Sequence, residues 1–81
     1  MIRLTVISPQ REVLSTEASL IELPGEMGRF EILKDHAPLI SSLAAGKIRY
    51  VKGGEENEIE IQSGFVEVRD NVVTVCIGEG R

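Results

Sequence analysis

Turn-forming residues interrupt this chain about every eight residues, and no segment between them carries a sustained helical period. The interruptions are Ser8-Pro9-Gln10, Ser15-Thr16-Glu17, Pro24-Gly25, Asp35-His36-Ala37-Pro38, Gly53-Gly54-Glu55-Glu56-Asn57, Ser63-Gly64 and Asp70-Asn71. Between them, apolar residues alternate with polar ones. Ile2, Leu4 and Val6 alternate with Arg3 and Thr5, and Ile59 and Ile61 alternate with Glu58, Glu60 and Gln62. Val66 and Val68 stand against Glu67 and Arg69, and Val73, Val75 and Ile77 share one side of the last run. A period of two places alternate side chains on opposite faces of a strand, so each run buries one face and wets the other.

The chain therefore reads as an all-β domain of about eight to ten short antiparallel strands, closed as a sandwich or a barrel. Val13 and Leu14 open a second strand, which Ser15-Thr16-Glu17 ends as a turn. Ala18 to Leu23 forms a third, changing face through a bulge, and Pro24-Gly25 breaks it. Gly28 to Leu33 forms a fourth, with Phe30 and Ile32 on one face. Leu39 to Leu43 fits either a helical turn or a short strand. Gly46 starts another strand, with Ile48 and Tyr50 against Lys47, Arg49 and Lys52. Gly53-Gly54 and Asp70-Asn71 are hairpin turns. Residues 78–81 form a frayed tail.

With 81 residues, this is a single domain of thin stability, since a chain of that size buries only about 60% of its unfolded surface. The scarcity of aromatic residues, Phe30, Phe65 and Tyr50 with no tryptophan, leaves the core to Val, Ile and Leu. The net charge of −4 argues against nucleic-acid binding. A lone Cys76 cannot form an internal disulfide, which fits a reducing compartment, and its apolar setting reads as a small strand residue. No apolar run reaches the roughly 18 residues of a membrane span, and the N-terminus lacks a signal-peptide core.

Chemistry has few places to reside. Asp35 and His36 invite an acid–base reading, as a small β-sandwich enzyme or ligand carrier. Adjacent residues on extended backbone point apart, however, and no activated nucleophile accompanies them. Glu55, Glu56, Glu58 and Glu60 lack the spacing of a calcium loop and read as a solvated strand face. One histidine and one cysteine do not make a zinc site. Gly25-Glu26-Met27-Gly28 has neither the lysine nor the helix of a phosphate loop. No cofactor is expected. Residues 23–46 gather two of the three prolines, the histidine and three of the eight glycines. Apolar and charged residues mix there, as on a protein-docking loop, whether of a larger assembly or of a free-standing adaptor.

An ordered set of motifs gives that docking a context. Leu23-Pro24-Gly25, Gly28-x-Phe30, His36-Ala37-Pro38-Leu39 and Gly46-x-Ile48-Arg49 come in succession. They are flanked by Val6-x-Ser8-Pro9, Ser63-Gly64-Phe65-Val66-Glu67-Val68 and Asn71-x-Val73-Thr74-Val75. Over nearly its whole length the chain resembles the epsilon-subunit family of the ATP synthase (delta in mitochondria). The resemblance implies a ten-stranded sandwich over residues 1–81, the family's N-terminal domain. It implies a non-catalytic rotor subunit of the central stalk, on the cytoplasmic face of the bacterial inner membrane and bound to the membrane only through the complex.

Its implied partners are the gamma shaft and the c-ring. Glu26, Met27, Gly28, Arg29 and Glu31 match the ring-facing loop, and Ser8, His36, Pro38 and Ser41 match positions toward gamma. Many members carry an acidic residue where Arg29 stands, and a glycine is usual at Glu31. Lys34-Asp35 replaces a common Pro-Gly before the histidine. The family usually continues into two C-terminal helices with inhibitory and ATP-sensing roles. This chain stops after its last strand, either as a naturally short form, which its Gly-Glu-Gly-Arg tail favours, or as a piece cut from a longer protein, and in either case it is expected to have neither role.

Overall fold

β-Branched residues at alternate positions are well accommodated on a pleated, half-buried surface, and they place strands along the whole chain. The computed structural model of the protein describes residues 1–78 and has nine strands. These are β1 (Ile2–Ile7), β2 (Glu12–Ala18), β3 (Leu20–Gly25), β4 (Gly28–Ile32), β5 (Leu39–Leu43), β6 (Gly46–Lys52), β7 (Glu55–Ile61), β8 (Gly64–Arg69) and β9 (Val72–Ile77). There is no helix among the described residues, and the tail at 79–81 lies outside them.

The ladders run β2-β1-β9-β8-β5 and β4-β3-β6-β7, joined by a single bridge between Gly25 and Leu43. The sheet thus curls into two layers around one core. β1 supplies Ile2, Leu4 and Val6, β3 supplies Ile21 and Leu23, β8 supplies Val66 and Val68, and β9 supplies Val73 and Val75, all at most 1% exposed. Ile32, Leu43, Ile48 and Ile61 complete the cluster. Those of β1, β6, β7, β8 and β9 sit at the inward parity that the alternation predicts. One pairing is not antiparallel: β1 and β9 run parallel, Leu4 beside Val73 and Val6 beside Val75. A parallel pair needs a long crossover, and the rest of the domain is that crossover.

Several local expectations are corrected. Ser15-Thr16-Glu17 is no turn but the middle of β2, where Ser15, Thr16 and Glu17 pair with Thr5, Leu4 and Arg3. The ladder overrides the turn preference of Ser and Thr, whose small side chains fit a strand whichever way they face. The chain instead bends at Ser19, which puts Ile21 and Leu23 on the core side. Pro24-Gly25 does not break β3 either. Both residues pair with β4, and the reversal falls at Glu26-Met27. Leu39–Leu43 is a strand, zipped to β8 from Leu39↔Val68 to Leu43↔Gly64. Lys52 has the parity of Ile48 and Tyr50, so Val51, not Lys52, continues the face of Lys47 and Arg49.

The two hairpin turns form as the sequence indicates. Gly53 and Gly54 have φ of 58° and 82°, and Asp70 and Asn71 have φ of 53° and 64°. Positive φ at both central residues is the two-residue turn whose twist matches the flanking strands. Asn and Asp tolerate that region because their short polar side chains bond locally. The expected hairpin signal ran on to Asn57, but Glu55 to Asn57 already belong to β7.

Candidate functional site

The two layers present unlike outer faces. On the five-stranded layer, outward residues line up across strands in the row Ile7, Cys76, Phe65 and Ser42. The next row is Thr5, Thr74, Glu67 and Ile40. Ile40 is 75% exposed and Phe65 52%. At the end nearest Ser8 this face opens into a groove of about 570 Å³, lined by Ile7, Pro9, Phe65, Cys76 and Ile77 among others. Large apolar side chains left in water mark a surface suited to association.

The four-stranded layer is instead covered by charge. β7 offers Glu56, Glu58 and Glu60, β6 offers Lys47 and Arg49, and β3 offers Glu22. Arg49 Nε donates to Glu22 Oε1 at 3.0 Å, and its Nη1 lies 3.1 Å from Glu56 Oε2. Lys47 Nζ is 3.5 Å from Glu58 Oε1. Much of the acidic run is thus one column of a cross-strand lattice. The hydrogen bond from Arg49, then the ion pair with Arg29, holds the Glu22 carboxyl below the usual carboxylate range. The same bond to Glu22 raises Arg49. Glu22 was not singled out from sequence. Its only signal there is a carboxylate at the outward parity of β3, and its partners are 7 and 27 residues away.

The β3–β4 turn projects from one end of the domain. Met27 at its tip is wholly exposed, and Glu26, Gly28, Arg29 and Glu31 are exposed around it. Glu26 N–H donates to the Ser42 carbonyl at 3.1 Å, anchoring the turn to β5. Gly28 has φ of 129°, a region closed to most side chains, so this position demands glycine. Arg29 turns back onto the domain. Its Nη2 donates to the Lys47 carbonyl at 2.9 Å, and its Nε lies 3.4 Å from Glu22 Oε2.

The loop from Leu33 to Pro38 lies at the opposite end of β8 and β9, against the Asp70-Asn71 turn. Asp35 adopts φ of 67°, and its N–H donates to Asn71 Oδ1 at 2.6 Å. In return Asn71 Nδ2 donates to Asp35 Oδ1 at 3.1 Å. His36 N–H donates to the Leu33 carbonyl at 3.1 Å, and its Nδ1 donates to the Ala37 carbonyl at 2.7 Å. Asp35 and His36 therefore each bond elsewhere, one to Asn71 and the other to its own neighbour, and do not form an acid–base pair with each other.

The residues expected toward the shaft are spread out. Ser8 closes the β1–β2 turn, its hydroxyl accepting from Gln10 and Arg11 N–H at 3.3 Å. His36 sits at the far end of the same layer. Pro38 is exposed beside it, while Ser41 lies at the inward parity of β5, between the outward Ile40 and Ser42. Ser8 and His36 do not meet. They bracket the face that carries Ile40, an apolar residue of the 23–46 docking segment, and Phe65, which sequence reasoning missed because an exposed apolar position looks like a buried one until the layers are assigned.

With this geometry in place, comparison with known proteins is decisive. Residues 1–79 match the family model described as ATP synthase, Delta/Epsilon chain, beta-sandwich domain. An ATP synthase epsilon chain of Desulfitobacterium hafniense is 50% identical over 72 residues, covering 89% of this chain and 54% of that relative. The epsilon chain of Pelotomaculum thermopropionicum is 44% identical over 73 residues, with 90% and 54% covered. The chain thus spans about half the length of these curated relatives. A chain of the Euglena gracilis mitochondrial ATP synthase, solved as OSCP, F1 and c-ring, superposes with a TM-score of 0.86 at 26% identity, over 94% of this chain and 49% of that one. A chain of the Tetrahymena thermophila central stalk and c-ring shares the fold, with a TM-score of 0.79 at 16% identity over 96% of this chain and 63% of that one. On its motifs, its two-layered fold and these matches, the chain belongs to the ATP synthase delta/epsilon family, as a beta-sandwich domain of it.

Proposed function

We propose that this domain is a non-catalytic rotor element of a proton-translocating ATP synthase, fastening the gamma shaft to the membrane c-ring so that rotation becomes torque. The observation that supports it best is the whole-domain superposition on a chain from an assembly described as containing F1 and a c-ring. The surfaces fit such a role. The projecting end at Glu26, Met27, Gly28, Arg29 and Glu31 meets the ring. The apolar face bracketed by Ser8 and His36, with Pro38 at its margin and Ser41 behind it on the inner side of β5, meets gamma. Two partners on two surfaces of one rigid sandwich make a mechanical link, which a catalytic role would not require. The domain then works on the cytoplasmic side of a bacterial membrane, held there by its partners. The sandwich alone carries coupling and not inhibition, so titrating residues 1–81 with ATP yields no micromolar binding.

Co-purification tests the reading. The tagged chain, expressed in its own host, brings down gamma and c-ring subunits from detergent extracts that retain intact synthase. Recovery of neither would refute it. Met27→Asp then loosens the ring end alone: gamma is still recovered, while ATP-driven proton pumping falls relative to ATP hydrolysis.

A further inference from the structure

Arg29 stands on the projecting turn, yet its guanidinium is spent on the domain itself. The reason lies in Pro24. β3 and β6 pair from Leu20↔Val51 to Glu22↔Arg49 and then stop. Continued by two residues, that register would bring Pro24 opposite Lys47. Proline has no N–H to give, so the ladder cannot be extended there by a bond from Pro24. Arg29, the β4 partner of Pro24, reaches over it and donates from Nη2 to the Lys47 carbonyl at 2.9 Å. Glu22, one pleat back on the same strand, holds the other edge of that guanidinium, with Nε at 3.4 Å from Oε2. Its second oxygen is taken by Arg49 at 3.0 Å, which ties Glu22 to β6. Gly46 lets the two strands come this close, since a Cβ there would lie 3.0 Å from the Pro24 ring. Three strands thus converge on one arginine, two residues from the tip of the turn.

We propose that Arg29 is a clasp that stands in for the donor missing at Pro24, and that Glu22 is the positioning residue that orients it. Together they fix the Glu26–Met27 turn for the ring, and Arg29 is not a cation offered to the ring. The proposal rests on the ring-facing reading of that turn and assigns its contacts differently. Met27 is the contact at the tip, and Glu22, set back from it on β3, tunes coupling from behind. Arginine suits the role, because its planar fork serves a carbonyl and a carboxylate at once, whereas a lysine ammonium presents no fixed fork.

Two measurements on Glu22→Gln test it, with Glu56→Gln as the control that disturbs Arg49 and not Arg29. The first is 15N relaxation of the Arg29 Nε in the 81-residue chain. It is rigid in the wild type and in Glu56→Gln, and in Glu22→Gln its order parameter falls to below about 0.6. An Arg29 Nε equally ordered in Glu22→Gln overturns the clasp. The second is ATP-driven proton pumping relative to hydrolysis, in the host synthase rebuilt with each variant and assayed well below its melting temperature.

Glu22→Gln and Arg29→Gln each lower that ratio by roughly two- to fivefold, the scale of a surface ion pair. The double variant is no worse than either single one, because both break the same clasp. Loss of coupling in Met27→Asp with full coupling in Glu22→Gln overturns the clasp and leaves the ring reading standing. Full coupling in both variants overturns both. Additive losses in the double variant also overturn the clasp, since the two residues would then act separately.

Discussion

Gly64→Ala should loosen the junction of β5, β8 and β9 by a purely steric route. Gly64 pairs with Leu43 on one side and Ile77 on the other, at the mouth of the apolar groove. A Cβ there would collide with the Cys76 carbonyl oxygen and lie 3.3 Å from the Ile77 Cα. Both obstacles are backbone, so no side chain can rotate away, and the strands themselves must shift apart. Forcing a methyl into a packed site costs about 1–3 kcal/mol. The neighbouring bond from Gly78 N–H to the Ser63 carbonyl, now 3.1 Å, goes with it at about 0.5–1.5 kcal/mol.

The loss of roughly 2–4 kcal/mol is set against a total stability of about 4–12 kcal/mol for a domain of this size. At roughly 4–8 °C per kcal/mol, the melting temperature drops by at least about 8 °C. Circular dichroism melts and urea titrations read both quantities. Gly53 supplies the contrast: it has φ of 58° and nothing within 4 Å of a built Cβ, so its need for glycine is conformational. Asparagine tolerates that region, so Gly53→Asn costs under about 1 kcal/mol, whereas Gly64→Asn is as damaging as alanine. Gly64→Ala within about 0.5 kcal/mol of wild type would refute the tight junction.

Three further outcomes follow from the same geometry. Ile61→Ala and Val75→Ala, at 2% and 0% exposed, cost roughly 2–5 and 1–3 kcal/mol in urea unfolding, and neutral values would contradict the assigned strand faces. Glu22 has a folded pKa below its unfolded one, so its stabilisation is present above the ordinary glutamate value of about 4.3 and is lost as pH falls through the folded value. The stability gap between wild type and Glu22→Gln, followed by urea titration from pH 7 downward, therefore closes in acid, and a gap independent of pH would disprove the linkage. Ile40→Gln, at a position 75% exposed, changes stability by less than about 0.5 kcal/mol yet reduces recovery of gamma in co-purification, and undiminished recovery would remove that residue from the interface.

Much of this domain can be read from residues alone, because burial alternates with a period of two wherever a strand has one wet face. Ile2, Leu4 and Val6, then Val66 and Val68, then Val73 and Val75 declare their core side without any knowledge of what they pack against. The Gly53-Gly54 and Asp70-Asn71 turns are equally legible, since positive φ restricts the residues that can stand there. So are the ordered motifs that carry the family. The amino-acid sequence by itself therefore determined the all-β class, most of the inward faces and two tight turns.

Tertiary structure decided the rest, for reasons of sequence distance. Ser15-Thr16-Glu17 became strand because β1 offered a ladder, and Pro24 stayed in β3 because β4 paired with it. Asp35 meets Asn71 from 36 residues away, and Arg49 meets Glu22 from 27. The apolar face of Ile40 and Phe65 is distinguishable from the core only once the two layers exist. Arg29 looks like an offered charge in the sequence and is a bound one in the fold. Local pattern fixes which side of a strand is dry, because that depends on neighbours in the chain. Which charges are spent inward and which remain for a partner depends on residues that only the closed sandwich brings together.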